Sequence, residues 1–285
     1  MTQLGVRLGS LVLVFGLLVP RLASADDGEL SNVLIVLDAS GSMAGKMNGQ
    51  VKMELAQRVV KDLVDNMPAE MNVGLLVYGS KSPHEKRDCK DIDLLQPVTR
   101  VDPRSFDTAL AKVSPHGMTP IGASLERAAE ALRGLPGQST IVLVSDGSET
   151  CESDPCAVAR HVREATGIEV KVHVVGLDVA SGERGTLECV AKGGGGTYYP
   201  VTDEKALRSA LTEATTPVCN GKKAMWLSIA HPGLGEGRNA GGGFAKVPKR
   251  KFWLGFIPGF GWPGYLQVVS AIDAKNCGTG DWPSD

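Results

Sequence analysis

The run Asp38, Ala39, Ser40, Gly41, Ser42 sets one carboxylate and two hydroxyls at alternate positions. Alone the pattern is weak, since ordinary residue usage produces Asp-x-Ser-x-Ser roughly once in several thousand positions. Its place gives it weight: it follows the apolar run Val33 to Leu37, and in an open α/β sheet the loops at the carboxyl ends of strands line the ligand crevice. Two further loops offer matching oxygens. Thr119 sits in Gly117-Met118-Thr119-Pro120-Ile121-Gly122, just ahead of a segment with helical period, and Asp146 closes the apolar run Ile141 to Val144. Three loops thus present three hydroxyls and two carboxylates. The competing reading is that the hydroxyls merely cap helix starts.

Other chemistries fit these residues less well. Aspartyl-phosphate enzymes carry a second acid two residues after the first, as a proton donor, but Ser40 stands there. Gly41 to Lys46 reads Gly-Ser-Met-Ala-Gly-Lys, one residue short of a phosphate loop and followed by Met47 instead of Ser or Thr. The dinucleotide fingerprint Gly-x-Gly-x-x-Gly is absent from the first turn, and no Gly-x-Ser-x-Gly elbow appears. The five histidines, at 84, 116, 161, 173 and 231, lack zinc-ligand spacing, and His116, although near Thr119, reads as a solvated loop residue.

The elements that must position these loops are legible as periodicity. Val33 to Leu37, Val73 to Tyr78, Ile141 to Val144 and Val170 to Val175 are mostly continuous apolar runs rather than alternating ones, as strands buried on both faces are. Between them Leu55, Val59, Leu63 and Met67 form one stripe, and Ile121, Leu125, Ala128 and Leu132 another. The expected fold is a doubly wound α/β sheet, mainly parallel, with helices on both faces. Ile92 to Val98 is expected as a short antiparallel edge strand. The run Gly193 to Gly196 reads as a helix-ending turn before a small strand at Tyr198 and Tyr199, with a last helix over Glu204 to Ala214.

The Asp-x-Ser-x-Ser run, Thr119 and Asp146 resemble the metal-ion-dependent adhesion site of the von Willebrand factor A family, and the likeness extends over about Ser31 to Thr215. The resemblance implies that Ser40, Ser42 and Thr119 meet a metal, and that Asp38 and Asp146 bind it directly or through water. A hard cation suits such oxygen donors: Mg²⁺ first, with Mn²⁺ or Ca²⁺ as alternatives. Neutral hydroxyl ligands leave the ion much of its charge, so a coordination position can take an Asp or Glu carboxylate from a protein partner. The pattern Asp146, Gly147, Glu149, Thr150, Cys151, Asp154, Pro155, Cys156, with Cys189 later, is similar to an exported bacterial branch of that family. A binding module is expected, not an enzyme, serving adhesion or envelope assembly; a metal-dependent hydrolase and a structural domain with a relic site are the alternatives.

Compartment and domain limits come from the ends of the chain. Residues 1–25 carry Arg7, the apolar stretch Leu11 to Val19 and then Ala23-Ser24-Ala25, the order of a secretory signal peptide. The stretch is shorter than the ~20 residues a membrane span needs. Removing Arg7 and Arg21 with this segment takes the net charge from −2 to −4, which disfavours nucleic acid as a partner. The expected destination is the periplasm or the extracellular space, where six cysteines favour disulfides. Residues 26–216 are read as the A domain and 217–285 as a Gly- and aromatic-rich extension. That extension is expected to be β-rich, or a tail that docks a partner or a membrane interface, with Cys219 and Cys277 paired. Cys151 and Cys156 are spaced to close a small loop, although Cys89 or Cys189 could partner either of them.

Overall fold

The computed structural model describes residues 31–165 and 170–216, and beyond them 221–230, 249–254 and isolated positions as far as 272. Six strands form one sheet in the order β5-β4-β1-β6-β7-β8. They are β1 (Ser31–Asp38), β4 (Asn72–Tyr78), β5 (Ile92–Arg100), β6 (Gln138–Ser145), β7 (Val170–Leu177) and β8 (Gly195–Val201), with β2 (Lys46–Met47) and β3 (Gln50–Val51) making a separate hairpin. All neighbours in the large sheet run parallel except β4 and β5. The mainly parallel sheet and its antiparallel edge strand are therefore as expected.

Burial explains why the central strands show no polarity alternation. Along β1, Val33, Ile35 and Leu37 enter one core cluster while Leu34 and Val36 enter the other. The first cluster is covered by α1 (Lys52–Asp65), α2 (Pro103–Leu110) and α6 (Glu204–Thr215), the second by α3 (Ile121–Leu132), α4 (Pro155–Ala165) and α5 (Ser181–Gly193). With both faces covered, every β1 side chain from Val33 on leaves water. All four residues of the Ile121 stripe are fully buried. The Leu55 stripe overruns its helix, because α1 ends at Asp65 and Met67 packs against the core from the following turn.

Some elements carry their own local signals. Helix α2 opens with Pro103 and is capped by Asp102, whose carboxylate accepts from the Arg104 and Ser105 amides. Helix α5 ends at Gly193 and the chain enters β8 two residues later, so the glycine run is the expected exit from a helix. The extension is helical at Gly221–Ala230 and Lys249–Leu254, and for most of its length the β-rich expectation lies outside the described residues. Between Lys222 and Ala230 no Gly or Pro interrupts the chain, so local propensity permits the first of these helices. Residues 1–30, Cys219 and Cys277 lie outside the described residues, and with them the signal segment and the expected disulfide of the extension. Among the described residues no helix is long and apolar enough to cross a membrane.

Candidate metal centre

Strand β1 lies between β4 and β6, so the crevice at its carboxyl end is the place where the winding of the sheet changes direction. Asp38 ends β1 there and is fully buried. Its Oδ1 accepts from the Ser40 amide at 2.7 Å and its Oδ2 from the Ser145 hydroxyl at 2.6 Å. A single 3₁₀ turn, Gly41–Ala44, follows. It brings the Ser40 and Ser42 hydroxyls to 3.0 Å from each other and lets the Ser42 hydroxyl donate to Asp146 Oδ1 at 2.7 Å. Four of the five residues expected at the site thus form one connected cluster.

The fifth reaches the same rim through its backbone. Ser40 and Gly117 form a parallel bridge. The Gly41 amide donates to the Gly117 carbonyl, and the His116 and Gly117 amides donate to the Gly79 carbonyl. Gly79 has φ +71°, and a Cβ there would lie 2.7 Å from the Met118 carbonyl oxygen, so this approach of two loops requires glycine. Thr119 follows, buried, with its amide donating to the Thr150 hydroxyl at 2.7 Å and its carbonyl accepting from the Thr150 amide. Among the described residues its hydroxyl makes no hydrogen bond to the other four. His116 is exposed, with Nδ1 turned to the Ser114 carbonyl, as expected of a loop residue.

Further residues complete the site, of which Ser145 and Lys52 were not singled out from the sequence. Ser145 braces Asp38. Lys52, the first residue of α1, puts its ammonium 3.0 Å from Asp146 Oδ2 in a pair whose side chains are 13% and 0% exposed. Glu149 turns inward and accepts from the Gly122 and Cys151 amides, which fastens the loop after β6 to the start of α3; burial raises its pKa against the pull of those amides. The disulfide Cys89–Cys151 ties that loop to the one before β5, and Cys156–Cys189 ties α4 to α5, so Cys151 and Cys156 do not pair with each other. The Cys89–Cys151 bridge, Arg87, Met118, Pro120 and Glu149 line a cavity of about 680 Å³ beside Thr119. Nothing in residue type alone marked Ser145 or Lys52. The signal for Ser145 was its place beside Asp146.

The electrostatics of the cluster are unbalanced. Burial, and secondarily the charge of Asp146, raise the Asp38 pKa from 3.8 to about 6, against hydrogen bonds from Ser145 and Ser40 that lower it. The Tyr78 hydroxyl is buried opposite Asp38 in the register, without a hydrogen-bond partner of good geometry among the described residues. Burial and then the Asp38 charge push its pKa well up. Two carboxylates, one of them paired with Lys52, with serine hydroxyls beside them, are a donor set that fits a hard divalent ion. No group of three or more His, Cys, Asp or Glu side chains converges among the described residues, so any ion here would rely on the serine and threonine hydroxyls as well as the two carboxylates.

Comparison with known proteins agrees with this architecture. Residues 33–149 match the model of the von Willebrand factor type A domain. The Bacillus subtilis (strain 168) protein YwmC is 30% identical over 211 residues, spanning 70% of this chain and 92% of that protein. Among solved structures, a von Willebrand factor type A protein from Catenulispora acidiphila aligns with TM-score 0.53 at 21% identity, over 66% of this chain and 42% of its own. Proximal thread matrix protein 1 from the mussel byssus, with a zinc-occupied MIDAS motif, aligns with TM-score 0.52 at 18% identity, over 65% of this chain and 45% of its own. The chain thus spans less than two thirds of either solved structure, and at these identities the likeness is one of fold.

Proposed function

Because the chain belongs to the von Willebrand factor type A domain family, we propose that its rim cluster is a metal-ion-dependent adhesion site that grips a carboxylate of a protein partner. The observation that carries this reading is the convergence of Asp38, Ser40, Ser42 and Asp146 in one hydrogen-bonded cluster with Thr119 on the adjoining loop. Support comes also from the mussel byssus protein of the same fold, whose MIDAS motif holds zinc. Mg²⁺ is the ion that oxygen donors of this kind favour, with Mn²⁺ or Ca²⁺ as alternatives.

When bound, the ion supplies a Lewis-acidic position to which an anionic oxygen can add. The chain's own residues do the rest. Ser145 and the Ser40 amide hold both oxygens of Asp38, so the carboxylate is oriented beforehand. The Ser40 and Ser42 hydroxyls offer neutral donors that add no further negative charge at the ion. The cavity beside Thr119 gives room for partner residues flanking the acidic one. A binding role is preferred to hydrolysis because, among the described residues, the rim carboxylate Glu149 has both oxygens engaged by the Gly122 and Cys151 amides instead of being free to act as a base. The two disulfides support an exported protein in the periplasm or outside the cell, serving adhesion or envelope assembly.

Calorimetry with Mg²⁺ on the parent, Ser42→Ala and Asp146→Ala tests this. The parent binds and its melting temperature rises with metal; Ser42→Ala loses most of that rise, and Asp146→Ala loses all of it. Capture of an acidic partner from envelope extract then depends on metal and is abolished by chelator. Undiminished capture by Asp146→Ala in chelator rules out this surface as the recognition site.

A further inference from the structure

Lys52 is placed against local preference. It is the first residue of α1, where the helix dipole favours acids and disfavours cations, yet its ammonium is nearly enclosed beside the wholly buried Asp146. A residue that opposes its own helix is held by something outside it. The segment before it is firmly fixed. The Lys52 amide donates to the Gly45 carbonyl, β2 and β3 close a hairpin over the Asn48-Gly49 turn, and the Asn48 side chain donates to the Thr202 carbonyl. The chain thus delivers a cation to the centre on a rigid arm.

We propose that Lys52 is the built-in counter-ion of the centre, weakening its hold on the metal and making the loaded site positive enough to take a carboxylate. This rests on the metal-binding reading above. Among the described residues, Lys52 is the only Lys or Arg within ion-pair distance of Asp38 or Asp146. Two carboxylates and one ammonium leave the metal-free cluster with one net negative charge, which repels an acidic partner. A divalent ion inverts this to one net positive charge. Without the ammonium the same ion would only neutralise the cluster, and the loaded site would attract a carboxylate much less. The ammonium therefore turns metal occupancy into a change of sign, and lowers metal affinity because it shares Asp146 with the ion and repels it.

The test compares the parent with Lys52→Met, Lys52→Gln and Lys52→Arg. Calorimetry with Mg²⁺ alone should find the two neutral variants binding about tenfold tighter or more, with a larger metal-induced rise in melting temperature, and Lys52→Arg close to the parent. At saturating Mg²⁺, a peptide carrying a single glutamate should bind the neutral variants about tenfold more weakly than the parent. Should Lys52→Met fail to fold, Lys52→Gln, which can still donate to Asp146, carries the same comparison. A merely structural Lys52 predicts the opposite in the first measurement: the site loosens and Mg²⁺ binds more weakly. The proposal is overturned if the neutral variants bind Mg²⁺ no tighter than the parent, or if the peptide is held no better by the parent than by them. A parent that binds no Mg²⁺ at all overturns the metal reading itself, an outcome distinct from either.

Discussion

The two halves of the centre are held by different forces. On the side of β1 and β6, side chains do the holding: Asp38 and Asp146 are fixed by Ser145, Ser42 and Lys52 in a buried net of charge-assisted bonds. On the side of β4 and α3, the backbone does it. Gly79 and Gly117 bring two loops together, Thr119 is pinned through its own amide and carbonyl to the Thr150 hydroxyl and amide, and Cys89–Cys151 closes the rim covalently. In the proposed reading, the first half holds the electrostatic tension that a bound cation would relieve, and the second supplies the frame around it. The proposed site would thus combine an ion position set by side-chain charges with a wall set by the backbone.

Removing the covalent tie is expected to have the largest effect. Cys89→Ser with Cys151→Ser frees a segment of 62 residues, worth about 4 kcal/mol in the chain-entropy model. It should weaken Mg²⁺ binding as well, because Thr150 loses its anchor. Cys156→Ser with Cys189→Ser, which frees 33 residues, should cost almost as much by the same logarithmic dependence but leave Mg²⁺ binding intact. Urea denaturation and calorimetry on both pairs decide this; equal loss of metal binding in the two would break the distinction between frame and ion position.

The charged half should respond to protons in the opposite sense from most salt-bridged carboxylates. The folded pKa of Asp38 is raised, from 3.8 to about 6, so the native carboxyl holds its proton more tightly than the unfolded chain does. Its contribution to metal-free stability is most favourable below about pH 4, is lost as pH rises between about 4 and 6, and stays lost above. The penalty at neutral pH is about 3 kcal/mol. Asp38→Asn should remove up to that much, making the metal-free protein more stable in chelator at pH 7.5 while abolishing the stabilisation by Mg²⁺. An Asp38→Asn protein no more stable than the parent in chelator would show that the net of hydrogen bonds already neutralises the tension.

A smaller effect tests the backbone half alone. A Cβ at Gly117 would lie 2.7 Å from the Ser82 carbonyl oxygen and 2.8 Å from Gly79 Cα, neither of which is a flexible side-chain end. Gly117→Ala should cost about 2 kcal/mol and shift Thr119 away from the cluster, with reduced Mg²⁺ affinity but an unchanged pH profile between 4 and 6, because Asp38 and Asp146 keep their partners. Urea midpoints measured across pH separate the two effects; a flattened profile would mean that the halves are coupled.

Much of this arrangement was readable from residue order. Continuous apolar strands identify a sheet buried on both faces, since covering both sides removes any reason for polarity to alternate. Asp38, Ser40, Ser42, Thr119 and Asp146 could be picked out because each stands at the end of a strand or the start of a helix, where the chain must turn at the same edge of the sheet. Helix α2 was missed although Asp102 and Pro103 signal its start, because eight residues are too few for a clear period. The limit of α1 was overrun because Met67 continues the apolar spacing into a turn.

Tertiary structure alone decided which charge answers which. Lys52 and Asp146 are separated by 94 residues, and Ser145 and Asp38 by 107, distances across which periodicity carries no information. The pairing of Cys89 with Cys151 rather than Cys156 likewise follows from two loops meeting at one rim. Local sequence determines which faces of the chain seek burial and where the chain turns, because those preferences act within a few residues. The partners of a buried charge depend on where separate strands end side by side, and that becomes definite only when the sheet is assembled.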